Sequence, residues 1–484
     1  MKKKSVLLIA VAIVLIAVVA SIVYIYWPKP GGGAQTSEQT LKPVSLRIMT
    51  TWSQWSADDF NRYFFAESGM PRAGVVQPSA AMILNITNIT FIRVEDPKIW
   101  REAGLNGSVD GFIGQNRYNI TTLCYEGALH PIQDPKILEL AKNIPDTLKG
   151  YTKDGKLCWV AIYFMPYVWL VNLDYAKKVG VEVPNTWSDL LKPEYLSIIT
   201  QGAYLMAVYP VPNRDPMVNS VNTILAKYGW EKGWSIIAVV MGAASKLETS
   251  SKAAGDSVAF GKALLTVLGF DTAFTEYSMF PGKLDIVFPK NETGYWFTPI
   301  AIAANVSSDR LDGMYRLIRW ALTDMQDKML FNRSGWSFNM PVLGFNNTSP
   351  RMAFKEKAIQ NLFATPTDLE LALGEAAPAT TLYANILVTD KDVRSLLREV
   401  VTKIIEKYQS NQISLDDYYR YIYMIGRPPK FKDPLTGNET TFSLDEARQL
   451  GMAIRSGTIK GEDLEKELKS AIINNLNTIL QTLG

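Results

Sequence analysis

Two stretches of this chain share one grammar. In "VDGFIGQNRYNITTLCYEGALHPI" (109–132) an apolar run stops at Gly114, amides follow at Gln115 and Asn116, and Tyr118–Leu129 reads as a helix. In "KALLTVLGFDTAF" the run Ala263–Leu268 stops at Gly269, Phe270 and Asp271, behind the helix-like "SSKAAGDSVAF". A strand that ends at glycine and reopens as a helix leaves backbone N–H groups aimed at whatever lies ahead of it. "VSLRIMTTW" (44–52) also ends in polar residues, before a helix predicted over Ala57–Glu67, and "ILNITNITFIRVE" adds a further strand. Strand, turn and helix in repetition call for an α/β fold with a largely parallel sheet. In such a fold ligands sit beyond the carboxyl ends of the strands.

The chain opens differently. Lys2, Lys3 and Lys4 precede Ser5–Trp27, 23 residues without a charge, which at ~1.5 Å per residue is long enough to span a bilayer. Residues 1–27 are therefore expected to be an N-terminal transmembrane anchor, with a cleaved signal peptide as the competing reading. Residues 28–43, rich in Pro and Gly, read as a linker, and the folded body starts at Val44 outside the cell. The three lysines account for the whole net charge of +3 (+3 − 3 = 0 for the rest), so nothing points to nucleic acid as a partner. Ten Asn-x-Ser/Thr sequons, at Asn85, Asn88, Asn106, Asn119, Asn291, Asn305, Asn332, Asn346, Asn347 and Asn438, exceed chance and predict a glycosylated exterior surface. Cys124 and Cys158 face an oxidising space, where either a disulfide or two free thiols is compatible with the sequence. The single histidine, His130, is expected at a helix end.

Further along, Leu157–Tyr163 and Val168–Asn172 read as two strands interrupted at Met165-Pro166. "NTWSDLL" (185–191) predicts a helix opening at a Thr186 cap, and "KLDIVFPKNETGYWFTPIAIAA" predicts two strands around a turn. Residues 346–484 form a helical region. Val393, Leu396, Leu397, Val400, Val401, Ile404, Ile405 and Tyr408 line one face behind a Thr389 cap, and Leu464, Leu468, Ile472, Leu476 and Ile479 line another. Ser414 and Ser443, each with an acid three residues on, mark two more helix starts.

Four stretches resemble a known family. "FIGQN…EGALHP" (112–131), "YVWLVNLDYAKKVGVEVPNTWSDLLKPEY", "TSSKAAGDSVAFGKALLTVLGFDTAF" and "YRLIRWALTDMQDKMLFNRSGW" are similar, in order and spacing, to motifs of the extracellular solute-binding proteins of ABC importers. The resemblance covers roughly residues 44–345, and "GTIKGEDLEKELKSAIINNLNTIL" resembles the C-terminal helix of sugar-binding members. It implies a type II periplasmic-binding-protein fold in the membrane-anchored style of archaeal members. Two α/β lobes, 44–133 with 285–345 and 134–284, would be joined by a hinge and close on a small-molecule solute. An ABC permease would be the partner, and no cofactor or metal is implied.

No HExxH, GxSxG or P-loop motif occurs, and no His/Cys cluster has metal spacing, so no catalytic residue is expected. A membrane-anchored glycosidase, needing only two carboxylates, is the enzymatic alternative, and a structural cell-surface protein is a third reading. Strand ends and family positions nominate the ligand-binding residues: Trp52, Gln54, Gln115, Asn116, Tyr163, Tyr167, Ser250, Ser251, Asp271, Tyr295 and Trp296. Core packing is the alternative for each aromatic. Ferric-ion members carry adjacent tyrosines near the position of Asp271, and "GFDTAFTEY" lacks such a pair, which argues against iron. Aromatics with amides and a carboxylate suit a sugar or oligosaccharide, while Asp271 among aromatics would also suit a polyamine.

Overall fold

β1 (Val44–Thr50) has Val44, Leu46 and Ile48 buried on one face, the alternation its sequence shows. A computed structural model describes it together with residues 41–66, 78–211, 216–326, 339–343 and 350–484 as a whole. The expected anchor and linker up to residue 40 lie outside the described residues, as do Asn332, Asn346 and Asn347. Among the described residues no helix is long and apolar enough to cross a membrane.

After β1, the Ser53 side chain accepts from the Ser56 N–H and starts α1 (Gln54–Phe65), three residues before the predicted start. β2 (Ile86–Arg93) and β3 (Gly111–Ile113) flank β1 in parallel, and α2 (Pro97–Asn106), capped by Asp96, joins them. α3 (Arg117–Tyr125) opens at Asn116, whose side chain accepts from the Asn119 N–H. It ends earlier than predicted because Gly127 turns left-handed at φ 74°, and His130 then lies in β4 (Leu129–His130), not at a helix end.

β5 (Lys149–Tyr151) leads into β6 (Leu157–Asn172), one strand of 16 residues where the sequence predicted two. Pro166 does not break it. Pro166 faces Tyr295 on the last rung of the pairing with β11, and the Tyr167 N–H resumes the ladder on the Gly294 carbonyl at 2.8 Å. A missing donor is tolerated where a strand changes partners. The predicted helix at 185–191 is only a 3-10 turn, Asp189–Leu191. Thr186 and Asp189 cap each other, but Pro193 has no N–H to continue the ladder.

β7 (Met206–Val208), β8 (Ser245–Leu247) and β9 (Leu265–Gly269) form a second parallel set, in the order β9-β7-β8. β10 (Leu284–Val287) and β11 (Tyr295–Ala303) were expected around one turn, yet they pair with different halves of β6. β11 lies beside the first half of β6 and β3. β9 and β10 lie beside its second half. The sheet is mixed, and β6 belongs to both halves. Cys124 of α3 and Cys158 of β6 are bonded, with Cα atoms 6.3 Å apart.

Helices around the second half include α4 (Pro216–Tyr228), α5 (Ser251–Ala259) and α6 (Phe270–Met279), with a π-helical stretch over Ile237–Ala243. The C-terminal region holds α7 (Thr367–Thr389), α8 (Lys391–Gln409), α9 (Leu415–Ile425), α10 (Leu444–Ser456) and α11 (Gly461–Leu483). Asp390, not Thr389, caps α8, because the Thr389 hydroxyl bonds the Asn385 carbonyl inside α7. The predicted apolar stripes are buried at Val393, Leu397, Val400, Val401, Ile404 and Ile405, and at Leu464, Leu468, Ile472, Leu476 and Ile479.

Candidate functional site

Strand register locates the site. Ile113 of β3 lies opposite Ile300 of β11, and Ile300 lies opposite Val160 of β6. β1, β3 and the first half of β6 therefore run the same way, and the carboxyl ends of β1 and β3 come level with Val160, so the turn after β3 extends toward Tyr163. From the other side, Gly269 at the carboxyl end of β9 lies opposite Tyr167. The carboxyl ends of both parallel sets thus approach one stretch of β6, residues 160–167, which at roughly 3.3 Å per residue spans about 23 Å.

The first wall is the turn after β3. Gly114 sits at φ 91°, and a Cβ there would come within 3.2 Å of the Trp52 indole. The Thr51 hydroxyl donates to the Gly114 carbonyl. Gln115 is only 2% exposed, and its Oε1 accepts from Asn119 Nδ2 at 2.8 Å. Its Nε2 is buried with no hydrogen-bond partner. Leaving a buried amide donor without an acceptor costs about 1–3 kcal/mol, so this turn has hydrogen-bonding capacity that the protein itself does not use. Asn116 is exposed, with its side-chain oxygen committed to capping α3.

Arg117 follows at once. Its guanidinium donates to the Thr147 carbonyl at 2.6 Å and to the Tyr295 hydroxyl, and lies 2.7 Å from Glu370 Oε2 of α7. Burial works against the Arg117 charge, but Tyr295 and Glu370 outweigh it and its pKa is raised. Burial also pushes the Glu370 carboxyl up to about 7 against the pull of Arg117, and the Tyr295 phenol up to about 12.

The floor is aromatic. Tyr163 is buried, and its ring lies 5.8 Å from that of Trp296. Burial raises its pKa well above that of a free phenol, against hydrogen bonds with Thr298 and Trp52. Trp52 packs between Phe60 and Phe91 at 5.5 and 5.6 Å, so it supports the turn from beneath. Tyr167 is buried and accepts from Asn219 Nδ2 at 3.4 Å. Tyr295 and Trp296 are half-buried and, as neighbours in β11, face opposite sides of the sheet, Trp296 with Tyr163 and Tyr295 with Arg117.

The second wall begins at Gly269, where α6 starts without a side-chain cap and Met165 crowds the Cβ position at 3.3 Å. Asp271 is half-buried and is not left to water: its charge acts on Arg351, whose pKa burial lowers and Asp271 raises. Arg351 also sits 5.1 Å over the Phe274 ring, and Phe354 packs on Phe270 at 5.5 Å.

The structure therefore brings Trp52, Gln115, Asn116, Tyr163, Tyr167, Asp271, Tyr295 and Trp296 around one crossing. Three other nominated residues do different work. Gln54 is exposed and donates to Asp58 at 2.7 Å within α1. Ser250 is the exposed cap of α5 and Ser251 its first residue, at the end of β8, which β7 separates from β9. Arg117, Met165, Asn219, Arg351 and Glu370 were missed. Arg117 could have been flagged by its place after two amides, but nothing local marks Glu370.

A profile of the family described as bacterial extracellular solute-binding protein matches residues 87–343, which is 257 of the 484 residues. No curated protein sequence matches the chain. Among solved structures, the bacterial solute receptor AcbH, described as having an exclusive substrate preference for b-D-galactopyranose, aligns with TM-score 0.52 at 12% identity, over 74% of this chain and 96% of that one. The apo ferric ion-binding protein A of Pasteurella haemolytica aligns with TM-score 0.50 at 13% identity, over 72% and 99%. Iron-bound HitA of Pseudomonas aeruginosa gives 0.47 at 15% identity, over 72% and 100%. At these identities the likenesses establish the fold alone.

Proposed function

The chain belongs to the bacterial extracellular solute-binding protein family, whose members are binding receptors and not enzymes, and on that premise we propose that it captures a sugar or oligosaccharide at the β6 crossing. Two lobes would divide at Met165-Pro166, because residues 149–164 pair with the first half of the sheet, not with the second. The first lobe is then 44–165 with 295–343, and the second 167–287. The captured solute passes to an ABC permease, and residues 1–27 tether the receptor to the membrane.

One observation carries the sugar reading: the buried Nε2 of Gln115, which has no protein partner, in the turn before Arg117, which bonds the half-buried Tyr295. A hydroxyl oxygen would satisfy that amide, and a pyranose face would cover a ring. The polyamine reading draws on Asp271, whose charge already acts on the nearby cation Arg351. Ferric iron finds no adjacent tyrosines at that position.

Calorimetry of the full chain against D-galactose, maltotriose, spermidine and ferric citrate tests this. A sugar should bind, and at a hundredfold excess over its Kd should stabilise the fold by about 2.7 kcal/mol. Binding of spermidine alone, or turnover of a glycoside, would replace the reading with the polyamine or the hydrolase.

A further inference from the structure

The C-terminal helices grip the two halves of the molecule very unequally. On the second half their hold is broad and mostly apolar. Tyr383 of α7 packs 4.5 Å from Trp234, and a Cβ on Gly242 would fall 2.9 Å from the Leu387 carbonyl. Arg394 of α8 donates to the Ser245 carbonyl at 2.7 Å, and Tyr418 of α9 to the Leu191 carbonyl at 2.9 Å. On the first half the side-chain contacts of α7–α11 gather on α3, while Lys355, just ahead of α7, donates to the Leu343 carbonyl. Glu370 meets Arg117 there, Gly374 lies against the Tyr118 ring, and Arg455 of α10 sits 5.4 Å over that ring.

If the halves move as lobes, one of these attachments must open. Parting the first would expose close-packed helices and strand buried carbonyl partners. Parting the second separates one ion pair, whose side chains are already 18% and 15% exposed, and the contacts of Gly374 and Arg455 with the Tyr118 ring. The second attachment is the one that can make and break.

We infer that the C-terminal helices ride with the second lobe and that Glu370 is a closure latch, engaging Arg117 of the first lobe only when the cleft is shut. Glu370 is a positioning residue: it touches no solute, and acts through Arg117, which shares the Thr147 carbonyl with Tyr295 on the solute wall. The titratable groups facing it are Arg117 and Tyr295, with Glu375, Arg448 and Arg455 one turn further along. The latch rests on the two-lobed reading above. It makes the C-terminal region part of solute capture instead of an inert appendage.

Distances between spin labels on Lys98→Cys and Lys262→Cys, exposed positions on the two halves, read the latch directly in the full chain. Glu370→Ala should add a longer-distance population, raising the open-to-closed ratio roughly tenfold. Glu370→Gln, which keeps the volume, should move it the same way by less. Arg455→Ala loosens the same contact without stranding a buried charge, and decides the matter if Glu370→Ala does not fold. Distances unchanged in Arg455→Ala and in every folded Glu370 variant would overturn the latch. D-galactose and maltotriose titrated in parallel separate the two claims. Sugar binding with unmoved labels removes the latch alone, and moved labels with no sugar binding remove the solute reading alone.

Discussion

The two glycine turns at the β6 crossing share one sequence grammar and differ in chemistry. At the first, Gly114 turns left-handed, Asn116 caps the helix with its own side chain, and Gln115 is left with an idle donor in a buried place. At the second, α6 starts straight from Gly269 with no cap, and the charge of the nearby Asp271 acts on Arg351 from a later part of the chain. The first wall is also stapled to β6 by Cys124–Cys158, for which the second has no counterpart among the described residues. The lesson is that a strand–glycine–helix turn supplies a position, while the residues arriving from elsewhere decide whether it has binding capacity to spare. Here the first wall has it.

The staple gives the largest expected effect. A disulfide closing a sequence separation of 34 residues contributes about 4 kcal/mol in the chain-entropy account, so paired Cys124→Ser and Cys158→Ser changes should lower the denaturation midpoint steeply. A loss below about 1 kcal/mol would mean that the first wall is held by packing alone, as the second is. Next comes Gln115→Ala. It removes the idle donor, and the affinity for whichever sugar binds should fall by about 1–3 kcal/mol, roughly five- to 150-fold. Asp271→Asn should cost that sugar less than about fivefold, because the spare donor lies at the other turn and the amide keeps an acceptor oxygen. If Asp271→Asn proved the costlier change, the contrast between the walls would be reversed. The mildest expectation concerns glycans. Asn88, Asn106, Asn291 and Asn438 are exposed, whereas Asn119 Nδ2 is bonded to Gln115. Glycopeptide mass spectrometry should find sugar on members of the first group and none on Asn119.

The parts of the fold that were legible are those fixed by near neighbours in the chain. Both glycine turns, the Ser414 and Ser443 caps and the apolar faces of α8 and α11 depend on residues within a turn or two, and local pattern reads them. Pro166 misled because its missing donor matters only relative to a partner strand, and the partner changes there. Thr389 misled because two adjacent residues could cap α8, and only the course of α7 leaves Asp390 free to do it. Asp271 could be placed at a strand end, but Arg351, 80 residues on (351 − 271), alters its meaning. Glu370 was invisible for the same reason: its role exists only where α7 reaches α3.

The central claim is that the solute lies at the β6 crossing, gripped first by the turn at Gln115. An experimental structure of the full chain with the best-binding sugar tests it most directly. The account predicts sugar density with an oxygen within about 3.2 Å of Gln115 Nε2 and a ring face on Trp296 or Tyr295, between Gly114 and Gly269. Sugar bound elsewhere, with the Gln115 amide still unpartnered, would contradict it.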